Sequence, residues 1–84
     1  MHEKFVEIAK KYVKHHPADQ PLDFDKDLQD YGIDSMEQIK LLVEIEETFN
    51  IVMPDEYLVQ ETFSSFRNLY EATEQTIKKI SSIN

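Results

Sequence analysis

The residue in this chain best placed to do chemistry is Ser35, which follows Asp34 and precedes Met36-Glu37-Gln38 at the head of an apolar-periodic stretch. The local pattern gives its hydroxyl two fates. Ser35 to Gln38 fits the capping box S-x-x-Q, in which the serine oxygen accepts a backbone N–H and the glutamine reaches back. Asp34 to Glu37 fits such a box equally well. With Asp34 as the cap, Ser35 moves to the first helical position and its hydroxyl is free. There the unpaired N–H groups and the helix dipole favour an anion, a phosphodiester for example. For the isolated pattern, capping by the serine is by far the commoner outcome, and the local sequence leaves both open.

Other chemistries fit the chain less well. A serine hydrolase needs a base and an oxyanion hole. His15 and His16 could offer a base, but no Gly-x-Ser-x-Gly elbow surrounds Ser35. Adjacent histidines do not make the i, i+4 zinc pair of a helical site, so both are expected exposed at a helix end. Asp23, Asp25 and Asp27 have the spacing of the first three ligands of a calcium loop. The sixth position is Leu28 where glycine is needed, and the twelfth is Asp34 where glutamate is usual. These aspartates are expected in a solvated loop. The chain has no cysteine, hence no disulfide, no thiolate nucleophile and no cysteine metal site. If the protein handles thioesters, a cofactor must bring the sulfur.

Charge narrows the partners. A net charge of −8 over 84 residues argues against nucleic acid, whose backbone needs a basic stripe. It suits partners that present basic patches. No stretch has the length and apolarity of a membrane span or a secretory leader. A single domain over 1–84, monomeric and cytoplasmic, is expected. One glycine and three prolines leave few breaks, and no alternating run appears, which favours helices over sheet.

The elements that must position Ser35 follow from periodicity. A first helix is expected from about Glu3 to Lys14, with Phe5, Ile8, Ala9, Tyr12 and Val13 on one stripe. Lys14, His15 and His16 would close it, with Pro17 as the stop. A long connection then runs to Asp34, pinned to the core by Leu22, Phe24 and Leu28. Gly32, just before the second helix, can supply a positive φ. The second helix should span Ser35 to Phe49. A third, short helix is expected from Pro54 to about Glu61. Ser64 or Ser65 should cap a fourth, whose buried stripe is Phe66, Leu69, Tyr70, Thr73, Ile77 and Ile80, with a frayed tail beyond. The expected fold is an all-α four-helix bundle with three longer helices, a short third one and a long first loop.

The second helix carries a surplus. Leu41, Leu42, Ile45 and Phe49 make one apolar face, which suffices to bury it. Met36, Ile39 and Val43 lie roughly opposite, with Lys40 and Glu47 beside them. A domain this small has little room to enclose a helix on every side. The second stripe is therefore expected to be an exposed apolar patch, rimmed by charge, that partners touch. Glu37, Glu44, Glu46 and Glu47 read as a solvated face.

Tyr31-Gly32-Ile33-Asp34-Ser35-Met36 resembles the attachment motif of acyl and peptidyl carrier proteins, Gly-x-Asp-Ser-Leu, with Met36 in place of the common leucine. Ile39, Leu41, Leu42, Ile45, Glu46 and Phe49 fall at that family's helix positions. Met53-Pro54-Asp55-Glu56 resembles its Ile-Pro-Asp-Glu, and Phe63, Ser65, Phe66 and Leu69 continue the match. The resemblance implies a non-catalytic carrier. A phosphopantetheinyl transferase, using coenzyme A and magnesium, would join 4′-phosphopantetheine to Ser35, with Gly32, Asp34 and Met36 as motif neighbours. The arm's thiol would hold acyl or aminoacyl cargo as a thioester. Partners implied are a loading ligase and downstream transferase or condensing enzymes, docking on Met36, Ile39, Lys40, Val43 and Glu47. Lys40 stands where fatty-acid carriers commonly place an acid, which turns the expectation towards polyketide, nonribosomal-peptide or related pathways. Fatty-acid synthesis and D-alanyl transfer are the alternatives, the latter suggested by Asp-Ser-Met. An acidic interaction module without a prosthetic group is the reading from another class.

Overall fold

The structure is a computed structural model that describes residues 2–14, 16–17 and 20–82, with the side chains of residues 81 and 82 left aside. Among the described residues there are three α-helices: α1 (His2–Tyr12), α2 (Ser35–Phe49) and α3 (Phe66–Ser82). Three short 3₁₀ turns, Leu28–Tyr31, Asp55–Tyr57 and Thr62–Ser64, fill the connections. The expected all-α fold forms, with three α-helices among the described residues where four helices were expected.

The core draws on all three α-helices and on the connections between them. Phe5, Ile8 and Ala9 enter from α1, Leu41 and Ile45 from α2, and Phe66 and Leu69 from α3; Leu28, Tyr31, Ile33 and Ile51 enter from the connections. One end is aromatic. The Phe5 ring meets Tyr70 edge-on at 5.0 Å between centroids and Phe24 at 5.9 Å, and Phe24 meets Phe66 at 6.0 Å. Such tilted contacts suit the ring quadrupoles and add to the area buried. Phe24 and Leu22 are packed on this core, as the sequence led us to expect, and Leu28 is fully buried. The connection over residues 22–33 is thus held by burial and by hydrogen bonds. Arg67 N–H donates to the Phe24 carbonyl at 2.9 Å, and Asp23 N–H to the Tyr31 hydroxyl at 2.7 Å.

Four details differ from the sequence expectation. First, α1 ends at Tyr12, two residues before Lys14. Val13 N–H still reaches back to Ala9, but Lys14 N–H leaves the ladder for the Tyr31 carbonyl at 2.9 Å. A hydrogen bond to the turn before α2 stops the helix before Pro17 can. His15 lies outside the described residues.

Second, the short third helix is not an α-helix. Asp55–Tyr57 is one 3₁₀ turn closed by i→i+3 bonds from Tyr57 to Pro54 and from Leu58 to Asp55, each 2.9 Å. None of its residues is buried, and Leu58 and Val59 are exposed. Without an apolar face to bury, a short segment does not recover the cost of helix nucleation. Third, Pro54 precedes that turn as its cap residue and is not its first member.

Fourth, Ile80 is 45 % exposed, outside the buried stripe. The last buried residue of α3 is Thr76, and the helix then outruns its neighbours to Ser82. Thr73 and Thr76 are buried without penalty, because their hydroxyls donate to Leu69 and Ala72 carbonyls at 2.8 and 2.9 Å. Ser65 caps α3: its Oγ accepts Asn68 N–H at 3.2 Å.

Candidate functional site

The turn before α2 is built to present its first residue. Asp27 Oδ1 accepts Gln29 N–H at 2.8 Å and starts the 3₁₀ turn Leu28–Tyr31. Gly32 ends that turn with φ +79°, a conformation open to glycine at little cost. Ile33 then plunges into the core, fully buried, with its N–H on the Leu28 carbonyl at 3.1 Å. With both ends of Gly32 fixed, Asp34 emerges extended and its Oδ1 accepts Glu37 N–H at 2.9 Å. Asp34 is therefore the cap, and the ambiguity of the two overlapping boxes is gone.

Ser35 takes the first helical position, exposed, and its Oγ makes no hydrogen bond to a described residue. The other serines with described side chains differ. Ser64 Oγ donates to the Glu61 carbonyl at 2.7 Å, and Ser65 is buried as a cap. The N–H groups of Ser35 and Met36 donate to no described partner, so the helix start keeps donors that favour an anion beside that hydroxyl. Glu37 does not reach back as a capping box would require. Its carboxylate takes Lys14 Nζ at 2.5 Å, and that bond raises the lysine's pKa.

The surplus face of α2 is exposed as expected: Met36 70 %, Ile39 61 % and Val43 44 %. Lys40 and Glu47 are exposed beside it. Tyr12, Ile39, Lys40, Val43, Glu44 and Glu47 line a shallow recess there. Tyr12 is a member that periodicity assigned only to the core. It is half-buried, and its hydroxyl donates to Glu44 Oε1 at 2.9 Å. The signal available was chemical: a tyrosine at the edge of a buried stripe needs a partner for its hydroxyl.

A family model described as "Phosphopantetheine attachment site" matches residues 3–73. The chain belongs to this family. A crystal structure of an engineered Bradyrhizobium japonicum glycine:[carrier protein] ligase, complexed with AMP and a carrier protein from Agrobacterium tumefaciens, contains a similar chain. The match has 32 % identity and a TM-score of 0.69, over 93 % of this chain and 99 % of that one. No curated protein matches.

This phosphopantetheine carrier is therefore a non-catalytic protein whose cofactor is a covalent 4′-phosphopantetheine. The start of α2 fits such a group, since it offers an exposed, unbonded hydroxyl beside free amide donors.

Several acids of the carrier have duties that the sequence reading missed. Glu37, Glu44 and Glu46 were expected on a solvated face. Glu37 instead holds Lys14. Glu44 holds Lys11 Nζ at 2.5 Å as well as Tyr12. Lys11 and then Tyr12 draw its carboxyl below the usual range, against the upward push of burial. Glu46 Oε2 accepts Met53 N–H at 2.7 Å and ties the chain after α2 back onto the helix. Only a contact between distant segments reveals these roles. Glu47 is exposed as expected.

The three loop aspartates are likewise employed within the fold. Asp23 Oδ1 accepts Asp25 N–H at 2.9 Å, Asp25 pairs with the Arg67 guanidinium, and Asp27 caps a turn. The Arg67 hydrogen bond lowers the Asp25 pKa. His16 is half-buried against the Tyr31 ring, with centroids 5.5 Å apart, and not fully exposed at a helix end. Among the described residues no helix is long and apolar enough to cross a membrane.

Proposed function

We propose that the chain is an aminoacyl carrier whose 4′-phosphopantetheine is attached at Ser35 Oγ. The observation that carries the attachment is the split between Asp34, which caps α2, and Ser35, whose hydroxyl is exposed and unbonded. The neighbouring carrier's complex with a glycine ligase supports the cargo class. A transferase would join Ser35 Oγ to the β-phosphorus of coenzyme A. The Oγ–P bond forms, the pyrophosphate P–O bond breaks, 3′,5′-ADP leaves, and the hydroxyl proton passes to a base of the transferase. When bound, the group supplies the thiol that the chain lacks and holds an aminoacyl group as an activated thioester.

The chain's own residues do the rest. Asp34 fixes the helix start, and the free N–H groups of Ser35 and Met36 face the phosphodiester's charge. Met36, Ile39 and Val43 give partners apolar contacts, and Lys40 and Glu47 select them by charge. The partners are a phosphopantetheinyl transferase, an amino acid:[carrier protein] ligase and downstream acceptor enzymes in the cytoplasm. Lys40 fits this set better than the enzymes of fatty-acid synthesis.

Intact-protein mass spectrometry tests the proposal in two stages. Incubation with a promiscuous transferase, coenzyme A and magnesium should add one phosphopantetheinyl group, and Ser35→Ala should add none. A gain that survives Ser35→Ala rejects Ser35 as the attachment point. The holo form should then gain an aminoacyl group from an amino acid:[carrier protein] ligase with ATP. Loading by fatty-acid enzymes alone would overturn the cargo class.

A further inference from the structure

Ser35 stands on the rim of a cleft that the sequence gives no hint of. Asp27 and Gln29 from the first connection, Gln38 from α2, and Gln60, Phe63 and Ser64 from the segment before α3 line it with Ser35. Its volume is about 220 Å³. The lining chemistry is uniform in one respect. Gln29, Gln38 and Gln60 are primary amides, and none of their side chains hydrogen-bonds a described residue. Gln38 is half-buried in that state. Each amide offers two donors and an acceptor. Phe63, half-buried and packed against the core, supplies an apolar wall. Among the lining residues Asp27 carries a charge, and its Oδ1 is engaged with Gln29 N–H.

We propose that this cleft seats the protein-proximal half of the prosthetic arm, the pantoyl unit, on the resting carrier. The inference rests on attachment at Ser35. Three features match. The pantoyl unit has a secondary hydroxyl and an amide, which complement the idle glutamine amides. Its geminal methyl groups are the arm's only branched apolar part, and Phe63 is the cleft's aromatic wall. Pockets that enclose a drug-sized ligand run from about 300 to 1,000 Å³, so this cleft is too small for the whole arm with cargo. The distal half and its thiol therefore stay outside, open to partner enzymes. The phosphate remains at the rim, by the free amides of Ser35 and Met36.

The test uses isotope-labelled protein converted to the holo form, with the mass gain at Ser35 measured first. Nuclear Overhauser contacts are expected between the arm's geminal methyls and the Phe63 ring. The side-chain NH₂ signals of Gln38 and Gln60 should shift between apo and holo forms. In the exposed-site variant Gln60→Ala, the holo-induced shift at Gln38 should shrink while helical content stays unchanged. The arm's thiol should be alkylated at the rate of free pantetheine. Absence of any mass gain sinks the attachment reading. A full mass gain with holo-induced shifts confined to Ser35 and Met36, and no contact to Phe63, overturns the cleft alone. A thiol shielded from alkylation overturns the claim that only the proximal half is held.

Discussion

The two faces of α2 are made of similar residues and have opposite fates. Leu41 and Ile45 are fully buried, while Met36, Ile39 and Val43, on the same fifteen-residue helix, remain 44 to 70 % exposed. Hydrophobicity along the helix does not distinguish them. What does is the neighbours available: the inner face packs into the core beside α1, and no described element covers the outer one. An apolar residue on the inner face is worth its burial, whereas one on the outer face contributes little to folding and is free for binding.

The sharpest way to break this contrast is to truncate the inner face. Ile45→Ala should cost about 2–5 kcal/mol, the usual range for a buried isoleucine. A lower midpoint of urea unfolding at constant slope is the expected result. The turn that decides which face is outward comes next. Gly32→Ala would force a side chain into φ +79° and bring its Cβ within 3.1 Å of the Lys14 Cβ. Left-handed backbone alone costs about 1–2 kcal/mol, and thermal melting should show at least that loss. Third, Glu46→Ala leaves the Met53 N–H without its partner, which should cost about 1 kcal/mol in thermal unfolding. Glu46→Gln, whose amide oxygen still accepts, should recover most of it.

The α1–α2 seam gives a smaller, pH-dependent effect. Lys11 and Tyr12 hold the Glu44 carboxyl below its ordinary 4.5. A depressed folded value stabilises the protein above 4.5, and the gain is lost as pH falls through the depressed value. Lys11 is 63 % and Glu44 26 % exposed, so screening limits the pair to about 1 kcal/mol or less. The advantage of the native chain over Glu44→Gln in urea unfolding should therefore fade on acidification below that range. The smallest effect on folding belongs to the outer face. Met36→Asp and Val43→Asp should change stability by about 0.5 kcal/mol or less and leave helical content intact, while slowing ligase loading of the holo form. Loss of helical content in either variant would show that the outer face is part of the core after all.

Much of this was legible in the sequence because the signals were local. The i, i+3, i+4 stripe of α1, the positive φ of Gly32 and the surplus stripe of α2 each rest on residues within a few positions of one another. The Asp34–Ser35 question could be posed but not answered, since two capping boxes overlap and only the geometry set by Ile33 decides between them. The third helix was over-read: Pro54-Asp55-Glu56 is a good start signal, but Tyr57 is only half-buried, under Lys79, and Leu58 and Val59 stay exposed. The early end of α1 depends on Tyr31, the role of Glu46 on Met53, and the cleft beside Ser35 on Gln60 and Phe63. Partners separated by seven to twenty-eight positions leave no periodicity to detect.

With the attachment proposed at Ser35, the division between Asp34 and Ser35 also implies an order of events in the life of the molecule. The helix start needs nothing from the Ser35 hydroxyl, because the capping bond belongs to Asp34. Newly made chain is then expected to reach its native state with no transferase at hand. It then waits as a folded precursor, protected from the proteases that clear unfolded chains. Supply of the carrier and supply of its modifying enzyme need not be synchronised.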